Sequence, residues 1–352
     1  GCLAGNRQCV EDRWTAECGE CLPGYVDEGG NCKSLDSCDG IDCNGLGFCE
    51  VRGSVARCIC EPGYVNETGM GCVDPFVTNA WLPVVEPGEE ITFYQGIDSW
   101  DAAKPCHPVT ISSPYAIQRY EVSVAEYGRC ARAGACEPST WCNLGEVREV
   151  IGDDPGQHPV VCVSHLMASR YCAWVGGTLP SESQWEYAAL ELAECNDERL
   201  YPWGSTEISG EFANYLDGWN PFQASEFPFG SSGGPTTPVG FFDGSLRLKS
   251  DSGWVGSSES FQTQDNRSHV GAYDMAGNVS EWVIDCWNEG YLGNAPTDGS
   301  PQTGSGVTCE RRVKKGEGWP DIAAALYPEY RAAKLALNRL DFMGFRCAKP
   351  LD

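Results

Sequence analysis

The chain is poor in positive charge, with 24 lysines and arginines against 50 aspartates and glutamates, a net charge of −26. Binding to nucleic acid or to an anionic lipid surface needs the opposite balance, so neither is expected as a partner. The charge reads first as a solubility device and second as an affinity for divalent cations or a salty exterior. No apolar run approaches the roughly 18–20 residues that a helix needs to cross a bilayer, so no membrane span is expected. Only four histidines are present, His107, His158, His165 and His269, scattered without ligand spacing. They read as surface or internally satisfied residues. Nucleophile-elbow, phosphate-loop and His-Glu-x-x-His zinc patterns are all missing.

Cysteine, glycine and aromatic residues are plentiful. Twenty-one cysteines in 352 residues are hard to keep reduced, so the chain reads as exported and disulfide-bonded. The alternative, zinc, rests on one pair, Cys18-Gly-Glu-Cys21, with no second pair at ribbon spacing. An odd count leaves at least one cysteine unpaired or bonded outside the chain, and Cys2 is the natural candidate. Gly1 in place of Met marks a mature product or a fragment. Twelve Trp, 14 Tyr and 12 Phe supply a sizeable core, while 42 Gly and 22 Pro point to a loop-rich fold. The length allows two or three domains.

Eleven of the cysteines fall in residues 1–72. There Cys21-Leu-Pro-Gly-Tyr-Val26 recurs as Cys60-Glu-Pro-Gly-Tyr-Val65. The second copy has six cysteines, and its lone residue between Cys58 and Cys60 followed by a Pro-Gly-Tyr turn resembles an EGF-like module. The resemblance implies the pairs Cys38–Cys49, Cys43–Cys58 and Cys60–Cys72. Modules this short bury too little surface to fold without bridges. The first copy, with Cys2, Cys9, Cys18, Cys21 and Cys32, is similar to a truncated module in which Cys21 and Cys32 pair. Ser34-Leu-Asp-Ser37 lacks the acidic run of calcium-binding modules, so these read as spacers. The expected organisation is a truncated module over 1–33, an EGF-like module over 34–74, a linker over 75–87 and one domain over 88–352. Asp74-Pro75, Pro83 and Pro87 supply the breakers of the linker.

Within the large domain, Ser123 with Glu126 forms a capping box that opens a helix ending at Gly134. A second helix is expected over 163–175, closed by Gly176-Gly177. Ser181 with Gln184 opens a third, running to about Leu192. Beyond residue 200 helical periodicity fades into short strands and long loops. Asn66-Glu-Thr68 and Asn266-Arg-Ser268 are glycosylation sequons.

Six blocks occur in fixed order: Tyr120-Glu-Val-Ser123; Ala168 to Trp174 with Gly177-Thr-Leu-Pro180; Leu179-Pro-Ser-Glu-Ser-Gln-Trp-Glu-Tyr-Ala-Ala189; Tyr201-Pro-Trp-Gly204 with Ala213-Asn214; Gly277-Asn-Val-Ser-Glu-Trp282; and Gly344-Phe-Arg-Cys347. Together they resemble the formylglycine-generating enzyme family, the sulfatase-modifying factors. The resemblance implies an α+β, C-type-lectin-like fold with little regular secondary structure. Trp185 and Tyr187 are expected in its core. It also implies a disulfide Cys172–Cys347. Residue spacing adds Cys286–Cys309 as a loop staple, with Cys142–Cys162 and Cys130–Cys136 as further candidates.

Active members of that family oxidise a substrate cysteine with a copper-binding thiol pair that follows a Gly-Gly-Ser-aromatic turn. Thiolates suit this because they are soft, redox-active ligands. Here the turn is Gly316-Glu-Gly-Trp319. Counting from Trp319, or back from Arg331-Ala-Ala-Lys334, places Asp321 and Leu326 at the two thiol positions. Gly318 replaces the serine, and no cysteine lies in 310–346. No catalytic residue and no copper are expected. Ala189 and Arg331 stand where some members hold a further bridge, lost here as a unit. The family's calcium elements are retained: carried over, Asp274 and Glu281 offer carboxylates and Gly277 and Val279 backbone carbonyls, an oxygen set suited to a hard cation. A second calcium site begins at Asn214 and Tyr215. The expected protein is a secreted, non-catalytic binding or structural protein that contacts protein or glycan, or assembles with itself. The competing class is enzyme: a divergent extracellular, cofactor-dependent oxidase that uses Asp321, Glu317 or Tyr330 instead, or a formylglycine-generating-type enzyme acting on protein cysteine.

Overall fold

In the cysteine-rich segment, Gly29-Gly30 and Gly53-Ser54 stand between pairs of short strands, and Arg13-Trp14 between another. The computed structural model describes residues 7–12, 15–21, 25–28, 31–34, 38, 43, 47–52, 55–60, 79–139, 155–195, 200–216, 236–248, 260–291, 295–303 and 309–351. The chain divides into residues 1–77 and 78–352. In the first unit, β1 (Arg7–Asp12) pairs with β2 (Thr15–Cys21), β3 (Tyr25–Glu28) with β4 (Asn31–Ser34), and β5 (Gly47–Arg52) with β6 (Val55–Cys60), all antiparallel. Disulfides join Cys38 to Cys49 and Cys43 to Cys58. Cys72, expected to pair with Cys60, lies outside the described residues, as do Cys2 and the sequon at Asn66. Cys21 and Cys32 fall on β2 and β4, and their side chains are also outside the described set.

The second unit begins inside the expected linker. β7 (Trp81–Val85) and β17 (Ala348–Pro350) flank β10 (Tyr115–Gln118) in a three-stranded antiparallel sheet. Pro83 reads as a breaker in sequence, yet β7 is an edge strand, where a missing N–H removes no interior ladder bond. β8 (Ile91–Gln95) pairs with β9 (His107–Ile111), and β11 (Leu246–Leu248) with β12 (Ser260–Gln262). A four-stranded sheet runs β15 (Ala332–Leu335), β14 (Arg311–Lys315), β13 (Ser280–Cys286) and β16 (Met343–Gly344), with β13 and β16 parallel.

Among the described residues there are three α-helices, the first and third starting at their predicted caps and the second two residues after its expected start. α1 (Val124–Arg132) has the full capping box of Ser123 and Glu126, α2 (His165–Trp174) is capped by Ser164, and α3 (Glu182–Ala189) by Ser181 and Gln184. α3 stops three residues before its expected end because Leu190 turns extended (φ −155°, ψ 126°) and the Leu192 carbonyl accepts from the Tyr94 N–H of β8 at 2.9 Å. A disulfide, Cys106–Cys195, holds that departure and had no counterpart in the sequence reading.

β13 separates two cores. On one side Val283 joins Val313, Trp185, Tyr187, Phe93, Val109 and Ile117. On the other, Trp282 joins Tyr127, Met167, Tyr171, Phe345 and the Cys172–Cys347 disulfide. A strand buried on both faces reads as an unbroken apolar run rather than as alternation. Cys130–Cys136 closes the end of α1, and Cys286–Cys309 staples the loop leaving β13. Cys162 is disulfide-bonded, and Cys142 lies outside the described residues.

Candidate functional site

Two turns built from left-handed residues meet at the N-terminal end of β13. In the first, Asp274 (φ 57°), Gly277 (φ 84°) and Asn278 (φ 58°) reverse the chain before the strand. A Cβ on Gly277 would lie 2.7 Å from the Asn214 carbonyl oxygen, so the position requires glycine. In the second, Gly316 (φ 79°) packs under Trp185, and Glu317 (φ 47°) follows as a non-glycine in the same region. The turns are laced by the Gly277 N–H to the Gly316 carbonyl at 2.9 Å and the Trp319 N–H to the Asn278 carbonyl at 2.9 Å.

The oxygen groups expected to hold calcium are gathered here, and the two carboxylates among them, Asp274 and Glu281, each accept from protein donors. Glu281 is fully buried and accepts from Arg346 Nε (2.8 and 3.0 Å) and Nη2 (2.7 Å), and from Trp185 Nε1 (2.8 Å). Arg346 also donates to the carbonyls of Gln118, Arg119 and Tyr273, filling the space around Glu281 with a guanidinium. Asp274 accepts from the Gly240 N–H at 2.6 Å and Asn266 Nδ2 at 3.0 Å. Burial first, opposed by those bonds, raises the Asp274 carboxyl above its usual range. Glu121, which accepts from Asn278 Nδ2 and the Val279 N–H, is pushed well up by burial and then by the Asp274 and Glu281 charges. As folded, the Glu281 carboxylate is paired with the Arg346 guanidinium. Among the described residues no group of three or more His, Cys, Asp or Glu is arranged to hold a metal. Asn214 and Tyr215 are buried, with the Asn214 carbonyl accepting from the Asn278 N–H at 2.8 Å. The later residues of that expected second site lie outside the described residues. Asn266 is 1% exposed and its amide also donates to the Phe212 carbonyl, so the folded chain offers no acceptor at this sequon.

The former thiol positions diverge from one another. Leu326 is fully buried in an apolar cluster with Tyr201, Ala213, Tyr215 and Ala276. Asp321 stays half-exposed and accepts from the Gly318 N–H at 3.0 Å. Glu317, 1% exposed, forms an ion pair with Lys314 of β14 and meets Ser280 Oγ at 3.4 Å. Burial, opposed by Lys314 and reinforced by Asp321, pushes the Glu317 carboxyl up to about 7. Arg331, one of the two positions at which the resemblance implies a further bridge in some members, is here part of an ion pair. Arg331 donates from Nε and Nη2 to both oxygens of Glu182 on α3, at 2.7 and 2.8 Å, and lies over the Tyr291 and Trp287 rings. Sequence reasoning missed Lys314, Arg331 and Arg346 as partners because each meets its acid only through the fold.

A ladder of near-parallel rings flanks the turns. Tyr327, Tyr201, Trp203 and Phe212 stack in succession with centroids 4.5, 5.1 and 4.9 Å apart. Phe212 borders an open cleft of about 640 Å³ with Glu207, Glu211 and Gln264, and Trp203 borders another of about 510 Å³ with Asp265 and Arg267. All four histidines have ring contacts within the fold: Nδ1 of His107 with the Pro105 carbonyl, Nδ1 of His158 with Thr236, Nε2 of His165 with the Val283 carbonyl, and Nε2 of His269 with the Tyr187 carbonyl.

Residues 80–351 match the family described as the sulfatase-modifying factor enzyme 1-like domain. The formylglycine-generating enzyme of Mus musculus is 29% identical over 205 residues, 54% of this chain and 44% of that one. The hercynine oxygenase of Mycobacterium tuberculosis is 28% identical over 223 residues, 62% of this chain and 43% of that one. The chain thus spans less than half the length of each of these relatives. Among solved structures, PvdO from Pseudomonas aeruginosa superimposes with a TM-score of 0.51 at 24% identity, covering 83% of this chain and all of PvdO. That likeness is one of fold.

Proposed function

The chain belongs to the sulfatase-modifying factor enzyme 1-like family, and from that premise we propose that it is a non-catalytic, exported binding or structural protein. The observation that carries the proposal is the fate of the thiol positions. One holds a leucine sealed in an apolar cluster, the other a half-exposed aspartate, and the stretch 310–346 contains no cysteine. No side chain there can form the cysteine-ligated copper centre or exchange thiols with a substrate. Export is supported by the disulfides of both units, which an oxidising compartment favours. On this reading the EGF-like segment is a spacer. The partner surface is the pair of open clefts bordered by Phe212 and Trp203, where partly exposed aromatic edges and polar side chains suit protein or glycan contact.

The enzyme reading would rest on Glu317, Asp321 and Tyr330, none of which is a thiol. Incubation with a cysteine-containing sulfatase peptide, copper and oxygen separates the two readings. Mass spectrometry is expected to find the cysteine unchanged, and formylglycine in the peptide would overturn the proposal. For calcium, we propose that Arg346 supplies to Glu281 the positive charge that an ion would bring. Excess chelator is then expected to leave the melting temperature of the intact chain unchanged, whereas a drop would mean that a cation displaces the guanidinium.

A further inference from the structure

The second turn contains an unmet demand. Glu317 Oε2 is engaged by Lys314, but among the described residues no donor reaches the buried Glu317 Oε1. A buried carboxylate oxygen without a donor costs on the order of 1–3 kcal/mol or more, so such oxygens are ordinarily satisfied. The carboxyl of Asp321, itself an acceptor bonded to the Gly318 N–H, is gathered on the same ammonium: its Oδ2 lies 4.0 Å from the Lys314 Nζ that engages Glu317 Oε2. Two acids against one base leave one negative charge in excess. Two carboxyl groups so gathered are joined at least expense by a proton.

We propose that Glu317 and Asp321 hold a single proton between them, and that this shared proton fastens the turn 316–321 at the place where relatives have their thiol pair. The Glu317 hydroxyl donates through Oε1 to Asp321, while Oε2 continues to accept from Lys314. The other groups that bear on the pair are Ser280 on β13, which is neutral, and the Tyr330 phenol, raised by burial and then by both acids. A left-handed non-glycine residue at 317 is strained backbone that a fixed side chain would hold in place. The raised Glu317 carboxyl agrees with this arrangement, burial being its largest cause.

The sign of the pH dependence follows. An unfolded glutamate releases its proton near 4.5, whereas the folded chain keeps this one until about pH 7. The folded state therefore binds more protons across that window, and stability falls as pH rises through it and levels off above. The test is the melting temperature of the full chain from pH 5 to 8, beside that of Glu317→Gln. The glutamine amide donates to Asp321 without titrating, so the wild type is expected to lose roughly 5 °C more than the variant across the range. Asp285, whose carboxyl also lies near 7, is present in both chains and cancels. If Glu317→Gln does not fold, Asp321→Asn serves, since that position is half-exposed. Carboxyl carbon NMR should then show Glu317 titrating lower than in wild type. An equal loss in wild type and Glu317→Gln, or a wild-type Glu317 signal titrating near 4.5, would overturn the proposal. So would a pH step erased by added calcium, which would make the bridge a metal ion.

Discussion

Arg346 is fully buried and all its bonds run to one carboxylate and three carbonyls. Removing one member of such a pair strands the other charge in a water-free site, at a cost of about 3–5 kcal/mol. Arg346→Met is therefore expected to lower unfolding free energy by that amount in urea titration, and Glu281→Gln to lose a similar amount. The double variant Arg346→Met with Glu281→Gln should recover part of the loss. The sequence singled out Glu281 as a carboxylate directly after a special turn, since the Gly-Asn-x-x-Glu-Trp pattern is local. It did not identify what the carboxylate serves. Arg346 lies 65 residues away and was read only as a neighbour of the disulfide residue Cys347. The orphan oxygen of Glu317 was equally invisible, because burial is a property of the fold.

Helix starts were legible because a capping box is a contact between residues three apart. Ser181 carries more than its cap: Oγ accepts from the Gln184 N–H at 3.0 Å and donates to the Gly299 carbonyl at 2.7 Å, joining α3 to a distant loop. Ser181→Ala is expected to destabilise the domain by about 1–2 kcal/mol, at the upper end for a cap, as read by thermal or urea unfolding. The end of α3 was not legible, because Leu192 is drawn into bonding with β8, and no residue near 190 announces it. β7 was hidden for a related reason. Pro83 within it and Pro87 after it have the signature of a linker, and only the three-stranded sheet reveals an edge position that tolerates Pro83.

At the scale of the molecule, family fold could be read from ordered blocks, and the boundary as a linker over 75–87 inside which the second unit begins. Val85 is fully buried on β7, and Leu82 and Val84 pack against the same core. A chain beginning at residue 88 should accordingly be less stable than one beginning at residue 78, by at least about 2 kcal/mol for Val85 alone, in a comparison of melting curves. The strand order carries a further consequence. β7 and β17 both run antiparallel to β10, so the first and last strands of the domain point the same way. Trp81 stands opposite Gln118 and Pro350 opposite Tyr115, so the chain enters at one end of the sheet and leaves at the other. Tension applied between the ends of this domain pulls β7 and β17 lengthwise in opposite directions past β10. The ladder bonds, which lie across the strands, are loaded together in shear rather than unzipped one by one. Should β17 give way, the Cys172–Cys347 bond just before it locks 175 residues out of the extending chain, so the domain resists stretching twice, first as a clamp and then as a short tether.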